Sequence, residues 1–314
     1  MITTADVTSA AERVAGHVRR TPVLRVGSVL SGGTTELTFK CEFTQHTGSF
    51  KARGATNRVL AALAGPNPPS RVVAASGGNA GLAVAYVAAR QGLPATVYVP
   101  TTAPAVKVAK LRTLGATVHQ VGAEYSAAYE AALADADAED VLFCHAYDQA
   151  EICAGQGTLA LELLDQLDGE LDTVVVSVGG GGLMAGIVAA SGGRFRVVAV
   201  EPCTIPTLAT ALDHGAPVDV DVSGVAADSL GARRIGDIAF ALARASAVRS
   251  VLVEDAEIVA ARRHLWDEWR MVVEHGTAAA WAALTTGHYR PEPGERVAVI
   301  LCGANTDPSD LMGE

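Results

Sequence analysis

The sequence is poor in several residue types, and each shortage argues against a class of protein. Aromatic residues make up 5% of the 314-residue chain and charged residues 18%, with 24 basic side chains against 34 acidic ones. The net charge of −10 disfavours nucleic acid and anionic membrane surfaces as main partners, since both require a concentrated basic face.

Cysteines and long apolar runs are also scarce. The five cysteines are scattered and never form a Cys-x-x-Cys pair, so neither a disulfide framework nor a structural metal site is expected, and a reducing cytosol fits best. No apolar segment is long enough to span a bilayer. The first 20 residues lack a basic leader followed by an apolar run, which argues against a secretory signal. These features predict a cytoplasmic protein.

The apolar residues, by contrast, are abundant and follow a clear pattern. Short β-branched runs alternate with alanine-rich helical stretches, and the runs are continuous rather than alternating, which is typical of parallel strands covered on both faces. These runs are 71–76, 95–100, 116–122, 141–146, 172–179, 195–201 and 295–303. They predict a doubly wound α/β fold, and the length allows two such units.

Two boundaries divide these predicted units. The segment "AGPNPPS", Ala64 to Ser70, carries three prolines and cannot continue a helix. A second boundary is expected near Asp148, after the run at 141–146. We therefore predict a large domain of residues 1–69 and 148–314 and a small domain of residues 70–147.

Two glycine-rich stretches each follow a predicted strand and open a helix. In "VGGGGL", Val178 to Leu183, four glycines let the backbone approach a ligand closely, and their amides converge with the helix N-terminus on an anion. In "ASGGNAG", Ala75 to Gly81, side-chain and backbone donors suit a carboxylate or a phenolate, although an ordinary helix cap explains that stretch equally well.

A lysine and a cysteine complete the chemical groups. In "QHTGSFKARGA", Lys51 is predicted just inside a helix start, with Thr47 and Ser49 as capping residues. In "LCGAN", Cys302 follows a strand at the carboxyl end, where ligands bind in open α/β sheets, although a small core residue is the commoner reading. A lysine, a phosphate cradle and a donor loop together suggest pyridoxal phosphate.

Five motifs in this order resemble those of the serine/threonine dehydratases. They are "TGSFKARGA", "SGGNAGLAVAYVAA", "AGQGTLALEL", "VGGGGLMAG" and "CGAN", spread over residues 20–305. That family belongs to the tryptophan-synthase-β-like enzymes of fold type II, which use pyridoxal phosphate. The resemblance implies that the large domain binds the cofactor and the small domain grips the substrate.

The resemblance also assigns roles to individual residues. Lys51 would form the Schiff base and act as general base in the dehydration and deamination of L-threonine or L-serine to a 2-oxo acid and ammonia. The remaining cofactor contacts would come from Phe50, Asn79, Gly179, Gly180, Gly181, Gly182, Leu183, Glu274 and Cys302. The substrate carboxylate would bind Ser76, Gly77, Gly78, Asn79 and Ala80.

Several departures from the family pattern shape these expectations. Racemising relatives carry a serine where this chain has Gly77, so we expect dehydration with little racemisation. Ala80 and Leu82 replace the His and Gln of many relatives, which leaves substrate preference open. His275 stands where the family has proline, either as a pocket residue or as a surface or capped histidine. Thr207 replaces the aspartate of divalent-dependent relatives.

The segment "EPCTIPT" therefore suggests a monovalent cation, K⁺ in the family, bound by Glu201, the carbonyl of Ile205, and Thr207. The family also implies a homodimer. Too few residues follow "LCGAN" for an effector-binding domain, so isoleucine feedback is not expected. Alternatives are dehydration of another β-hydroxy amino acid, serine racemisation, β-replacement, or a non-catalytic cofactor carrier. No arginine in these loops marks a second substrate carboxylate.

Overall fold

The computed structural model describes residues 1–27 and 36–311. Within them, the helices are α1 Thr4–Val14, α2 Lys51–Leu63, α3 Asn79–Arg90, α4 Ala105–Thr113, α5 Tyr125–Asp135, α6 Ala150–Gln166, α7 Gly182–Ser191, α8 Thr207–His214, α9 Ala227–Leu230, α10 Asp237–Ala245, α11 Asp255–Trp269 and α12 His275–Thr285. The strands are β1 Val23–Arg25, β2 Glu36–Lys40, β3 Arg71–Ala75, β4 Ala95–Val99, β5 Thr117–Gln120, β6 Val141–Phe143, β7 Thr173–Ser177, β8 Arg196–Pro202, β9 Arg249–Val253 and β10 Arg296–Ile300.

The larger sheet has the order β1-β2-β10-β7-β8-β9 and is parallel except for the β1–β2 pair. Its central strand β7, "TVVVS", is buried along its whole length, as a strand covered on both faces must be. Helices α1, α6, α7 and α10 pack on one face, and α11 and α12 pack on the other.

The smaller sheet has the order β5-β4-β3-β6 and is parallel throughout. One face is covered by apolar residues of α2, α3 and α4, and the other by α5. The predicted fold of two doubly wound parallel sheets is confirmed. The predicted domain boundaries fall between strands of different sheets, and the division into two domains stays a prediction.

A buried ion network fixes α2 against the large sheet. The Arg53 guanidinium lies 2.8 Å from the Glu42 carboxylate and 2.7 Å from Glu162, and Lys40 Nζ lies 2.9 Å from Glu162. The two positive charges, on Arg53 and Lys40, therefore balance the two negative charges of the carboxylates. Because buried charges are tolerated only when paired and hydrogen-bonded, this network sets the position of the N-terminal turn of α2, where Lys51 lies.

None of the described helices is both long enough and apolar enough to cross a membrane.

Candidate active site

Lys51 is the first residue of α2 and has an unusual partner for a lysine. Its Nζ donates a 2.7 Å hydrogen bond to the carbonyl of Ala146 and lies 5.0 Å from the centre of the Phe50 ring. Among the described residues, it forms no ion pair. Burial, only partly offset by Cys302, Cys153 and Glu274, lowers the pKa of its amine to about 8. An amine with a lowered pKa and no carboxylate partner loses its proton more readily, and the deprotonated amine is the nucleophile.

The start of α2 differs from the prediction. Phe50 is the N-cap, with helical backbone angles and no side-chain capping bond, so the capping roles predicted for Thr47 and Ser49 are wrong. The chain reaches α2 through a short 3₁₀ turn, His46–Gly48, in which Thr47 has a left-handed φ of 60°. The buried hydroxyls of Thr47 and Ser49 have no hydrogen-bond partner in the described protein, so both remain available to a ligand.

The glycine loop forms an unsatisfied N-terminus for α7. The first intrahelical bond of α7 runs from Ala185 N–H to the Gly181 carbonyl, and no acceptor within the described residues pairs with the amides of residues 179–184. Nearly all of these residues are buried, where an unpaired amide is costly. The loop therefore presents a row of donors and a helix N-terminus, which suits a phosphate.

The glycines are required by close packing as well as by the predicted ligand. A Cβ atom on Gly180 would lie 2.3 Å from the Tyr147 ring, and one on Gly181 would lie 2.5 Å from the Cβ of Ala239. Gly181 also has a left-handed φ of 82°. A side chain at either position would therefore displace the loop.

The predicted carboxylate-binding residues 76–80 form the turn between β3 and α3. The Gly78 amide donates to Ser76 Oγ at 3.3 Å, and α3 begins at Asn79, so its first-turn amides lack intrahelical acceptors. All five residues remain partly exposed. This turn therefore has the form of a second anion site.

Asn79 connects the small sheet to the large one through Glu274. Its Nδ2 donates to both oxygens of Glu274, at 2.9 and 3.0 Å, while its Oδ1 accepts from Asn305 Nδ2 at 2.7 Å. Asn305 also donates its backbone amide to Glu274 at 3.0 Å. Burial raises the pKa of Glu274. The predicted contact of Asn79 with a cofactor phenolate stays a prediction.

Cys302 is buried and neutral. Its Sγ lies 3.1 Å from Thr277 Oγ1, and burial raises the pKa of the thiol to about 12. The Cys302 carbonyl accepts the Phe50 amide at 3.0 Å, which joins this segment to the start of α2. A neutral thiol beside a pyridine nitrogen would leave that nitrogen unprotonated.

The predicted cation ligands lie together, but the Glu201 carboxylate is already bonded. It accepts the amides of Leu208 and Ala209 at 2.7 and 2.9 Å, so it satisfies the N-terminus of α8. Thr207 Oγ1 lies 2.9 Å from Glu201 and 2.7 Å from the Gly179 carbonyl. Burial raises the pKa of Glu201 to about 7. A cation here stays a prediction, and the described residues contain no cluster of three His, Cys, Asp or Glu side chains suited to a metal.

Some residues of the site were not foreseen. The Ala146 carbonyl and the Tyr147 ring contact Lys51 and the glycine loop, and both belong to "HAYD" at the carboxyl end of β6, a position that could have suggested them. Predicted His275 lies outside this cluster, 4.0 Å from Asp310, and burial lowers its pKa.

These residues fit pyridoxal phosphate. A weakly basic lysine, unpaired loop amides and unpaired hydroxyls of Thr47 and Ser49 supply an aldehyde anchor and a phosphate site. The other three lysines differ from Lys51, because Lys40 and Lys107 form ion pairs and Lys110 is exposed.

Comparison with known proteins agrees with this geometry. Residues 14–303 match the model of the family "Pyridoxal-phosphate dependent enzyme". An L-threonine ammonia-lyase of Thermotoga maritima is 35% identical, covering 98% of this chain and 76% of the relative. A phenylserine dehydratase of Ralstonia pickettii is 36% identical, and the match covers 94% of this chain and 90% of the relative. The structure of maize serine racemase superposes with a TM-score of 0.90 at 29% identity, covering 99% and 96% of the two chains.

The chain therefore belongs to the pyridoxal-phosphate-dependent enzyme family, and the resemblance to the serine/threonine dehydratases is confirmed.

Proposed function

We propose that this protein dehydrates and deaminates L-threonine, L-serine or both, giving 2-oxobutyrate or pyruvate and ammonia. The observation that supports it most is Lys51, a partly buried amine with a neutral carbonyl as hydrogen-bond acceptor and a pKa of about 8. Relatives are named for threonine and phenylserine, so a β-hydroxy amino acid is the shared substrate class.

Pyridoxal phosphate, when bound, supplies a conjugated ring that acidifies the Cα–H bond of an attached amino acid. Lys51 would hold its aldehyde carbon, and the amides of residues 179–184 would hold its phosphate. The first-turn amides of α3 would bind the substrate carboxylate and so orient the Cα–H bond toward Lys51. Once displaced by the substrate amine, Lys51 can take the proton from Cα as a positioned base.

Gly77 supports elimination over racemisation. Racemisation requires a second base on the opposite side of Cα, and glycine provides none. Lack of space does not explain the missing side chain at position 77, because a Cβ atom on Gly77 would lie 3.4 Å from Val99 Cγ1, an ordinary contact distance. The neutral thiol of Cys302 would act in the same direction, since at the ring nitrogen of bound pyridoxal phosphate it would be only a weak proton donor and would limit the ring as an electron sink.

The test uses purified protein loaded with pyridoxal phosphate and incubated with L-threonine or L-serine. We expect a visible absorbance band that changes on adding substrate, with 2-oxobutyrate or pyruvate accumulating. Chiral chromatography should show little D-serine. Substantial D-serine would replace this proposal by racemisation, and a changing band without 2-oxo acid from either substrate would contradict it.

A further inference from the structure

Aromatic side chains are concentrated beside the site although they are rare in the chain. The aromatic wall consists of Tyr125, Tyr129, Phe143, His145 and Tyr147. Its three tyrosines and one phenylalanine come from the 6 tyrosines and 6 phenylalanines of the whole chain. None of the five rings is fully buried, and Tyr125 is 48% exposed. Tyr129 and Phe143 pack on one side against a small buried apolar cluster, so the wall is the partly open edge of that cluster.

The wall begins at the reactive lysine. Ala146, whose carbonyl accepts the Lys51 hydrogen bond, lies between His145 and Tyr147 in the chain. The Tyr147 ring packs directly on Gly180 of the glycine loop. At this end the wall therefore adjoins the two features that the proposed function uses, the Lys51 amine and the glycine loop.

From there, the rings follow one another outward. Ring centres are 4.6 Å apart for His145 and Tyr147, 5.8 Å for Tyr129 and His145, and 5.9 Å for Tyr125 and Tyr129. The His145 contacts are edge-to-face, the geometry that aromatic pairs prefer. The series leads from the lysine to solvent-exposed Tyr125.

The wall carries no net charge. His145 Nδ1 accepts the amides of Tyr147 and Asp148 at 3.1 and 2.8 Å, which places its proton on Nε2, and burial lowers its pKa. The Asp148 carboxylate accepts the amides of Asp237 and Ile238 at the start of α10. Arg234, whose carbonyl accepts the Tyr147 hydroxyl, has its guanidinium 3.9 Å from Asp219. A charged substrate side chain would lose water here without gaining a free partner, whereas an aryl group would gain ring contacts.

We infer that this wall receives the substrate side chain, and that the site prefers β-hydroxy amino acids bearing an aryl group on Cβ to those bearing hydrogen, methyl or carboxylate. The inference rests on the proposed dehydration and deamination of a β-hydroxy amino acid, and it extends the preferred substrates beyond L-threonine and L-serine to those that bear an aryl group.

The experiment compares kcat/KM of the cofactor-loaded enzyme for L-threo-3-phenylserine, L-threonine and L-threo-3-hydroxyaspartate. We expect phenylserine to lead. Tyr125→Leu and Tyr129→Leu should each lower the phenylserine-to-threonine ratio by roughly 2- to 10-fold, the worth of one aromatic pair. Tyr98→Leu is the matched control, since that ring stacks on His119 outside the wall and should leave the ratio unchanged. Tyr125 is exposed, so its variant tests the wall even if Tyr129→Leu fails to fold.

Preference for threonine or hydroxyaspartate, or an equal fall for both substrates in the tyrosine variants, would overturn the inference. A second titration separates it from the proposed function. L-phenylalanine and L-alanine lack the β-hydroxyl and cannot be dehydrated, so cofactor absorbance reports only their binding. If L-phenylalanine binds more tightly than L-alanine but no hydroxy amino acid yields a 2-oxo acid, the inference about the aromatic wall stands and the proposed dehydratase activity is rejected.

Discussion

Two lysines in this protein lie in buried or partly buried positions, and their surroundings differ. Lys40 is fully buried and donates to the Thr21 carbonyl, Glu162 and Gln166 at 2.8–2.9 Å. Lys51 is partly exposed and donates to a carbonyl alone. Burial lowers both pKa values. The effect is opposed at Lys40 first by its ion-pair partner Glu162, and at Lys51 by Cys302, Cys153 and Glu274 without an ion pair in the described part of the chain. The first lysine is held as a structural cation, whereas the second is left as a reactive amine.

The strongest way to break this comparison is to remove the reactive amine. Lys51→Ala should lower activity by roughly 10²- to 10⁴-fold or more, because it removes both the covalent anchor and the base. Turnover of the cofactor-loaded protein and its circular dichroism spectrum check this. Exposed Lys110→Ala is the control and should keep full activity. A Lys51→Ala enzyme as active as that control would contradict the assignment.

Replacing Lys40 should have the opposite effect to replacing Lys51, lowering stability while leaving activity largely unchanged. Lys40→Met leaves the Glu162 and Glu42 carboxylates short of one cation, and unfolding free energy should fall by about 3–5 kcal/mol. Activity per folded molecule should be largely retained. Urea unfolding measures the loss, with Lys110→Met expected within about 0.5 kcal/mol of the unchanged protein. Equal stability of the two variants would mean that Lys40 is not part of a required network.

The comparison is sharpened at the glycine loop. This loop is the proposed phosphate site that accompanies Lys51, and Lys40 has no such site beside it among the described residues. Gly181→Ala places a Cβ atom 2.5 Å from Ala239, and such overpacking should weaken pyridoxal phosphate binding by roughly 10- to 100-fold. Gly193→Ala is a matched control, because Gly193 has the same left-handed φ, 81°, but open space around it. Fluorescence titration measures both. Equal affinities would show that the loop does not hold the phosphate.

The smallest expected effect is a pH dependence. The Lys51 pKa is about 8 in the folded protein and 10.5 for an ordinary lysine, as in the unfolded chain. Between these two pH values the unfolded chain therefore binds more protons than the folded protein. Stability of the cofactor-free protein should therefore rise as pH increases from 8 to 10.5, by about 1–3 kcal/mol. Lys51→Met should remove this rise, as measured by urea unfolding at both pH values. A rise that persists in Lys51→Met would assign it to other groups.

The sequence predicted the sheets well where apolar runs were long. The runs that became β3, β4, β7, β8 and β10 were found because β-branched residues predominate in them. Strands β1, β2 and β9 were missed. "VLR" is short, "ELTFK" has a charged residue at each end, and "RSVLV" has only three apolar residues. The charge of Lys40 is compensated by Glu162, 122 residues away, and no local pattern reveals such a pair.

The site was predicted in part for the same reason. Gly179–Gly182 lie in a strand-to-helix turn and Lys51 lies at a helix start, as their local motifs predicted, while their roles toward a cofactor stay predictions. The proposed caps Thr47 and Ser49 were wrong because a left-handed Thr47 and a 3₁₀ turn carry the chain into α2 without a capping side chain. The Ala146 carbonyl approaches Lys51 only through tertiary folding, because 95 residues separate the two in the chain, and the rings of the aromatic wall come together from α5 and from the segment that begins in β6.

The most direct test is to identify the lysine that captures pyridoxal phosphate. The protein would be incubated with the cofactor at pH 8, reduced with borohydride, digested and mapped by mass spectrometry. With only four lysines in the chain, each can be followed. The account predicts a pyridoxyl group on Lys51 and none on Lys40. Labelling confined to Lys107 and Lys110, or no labelling, would contradict it.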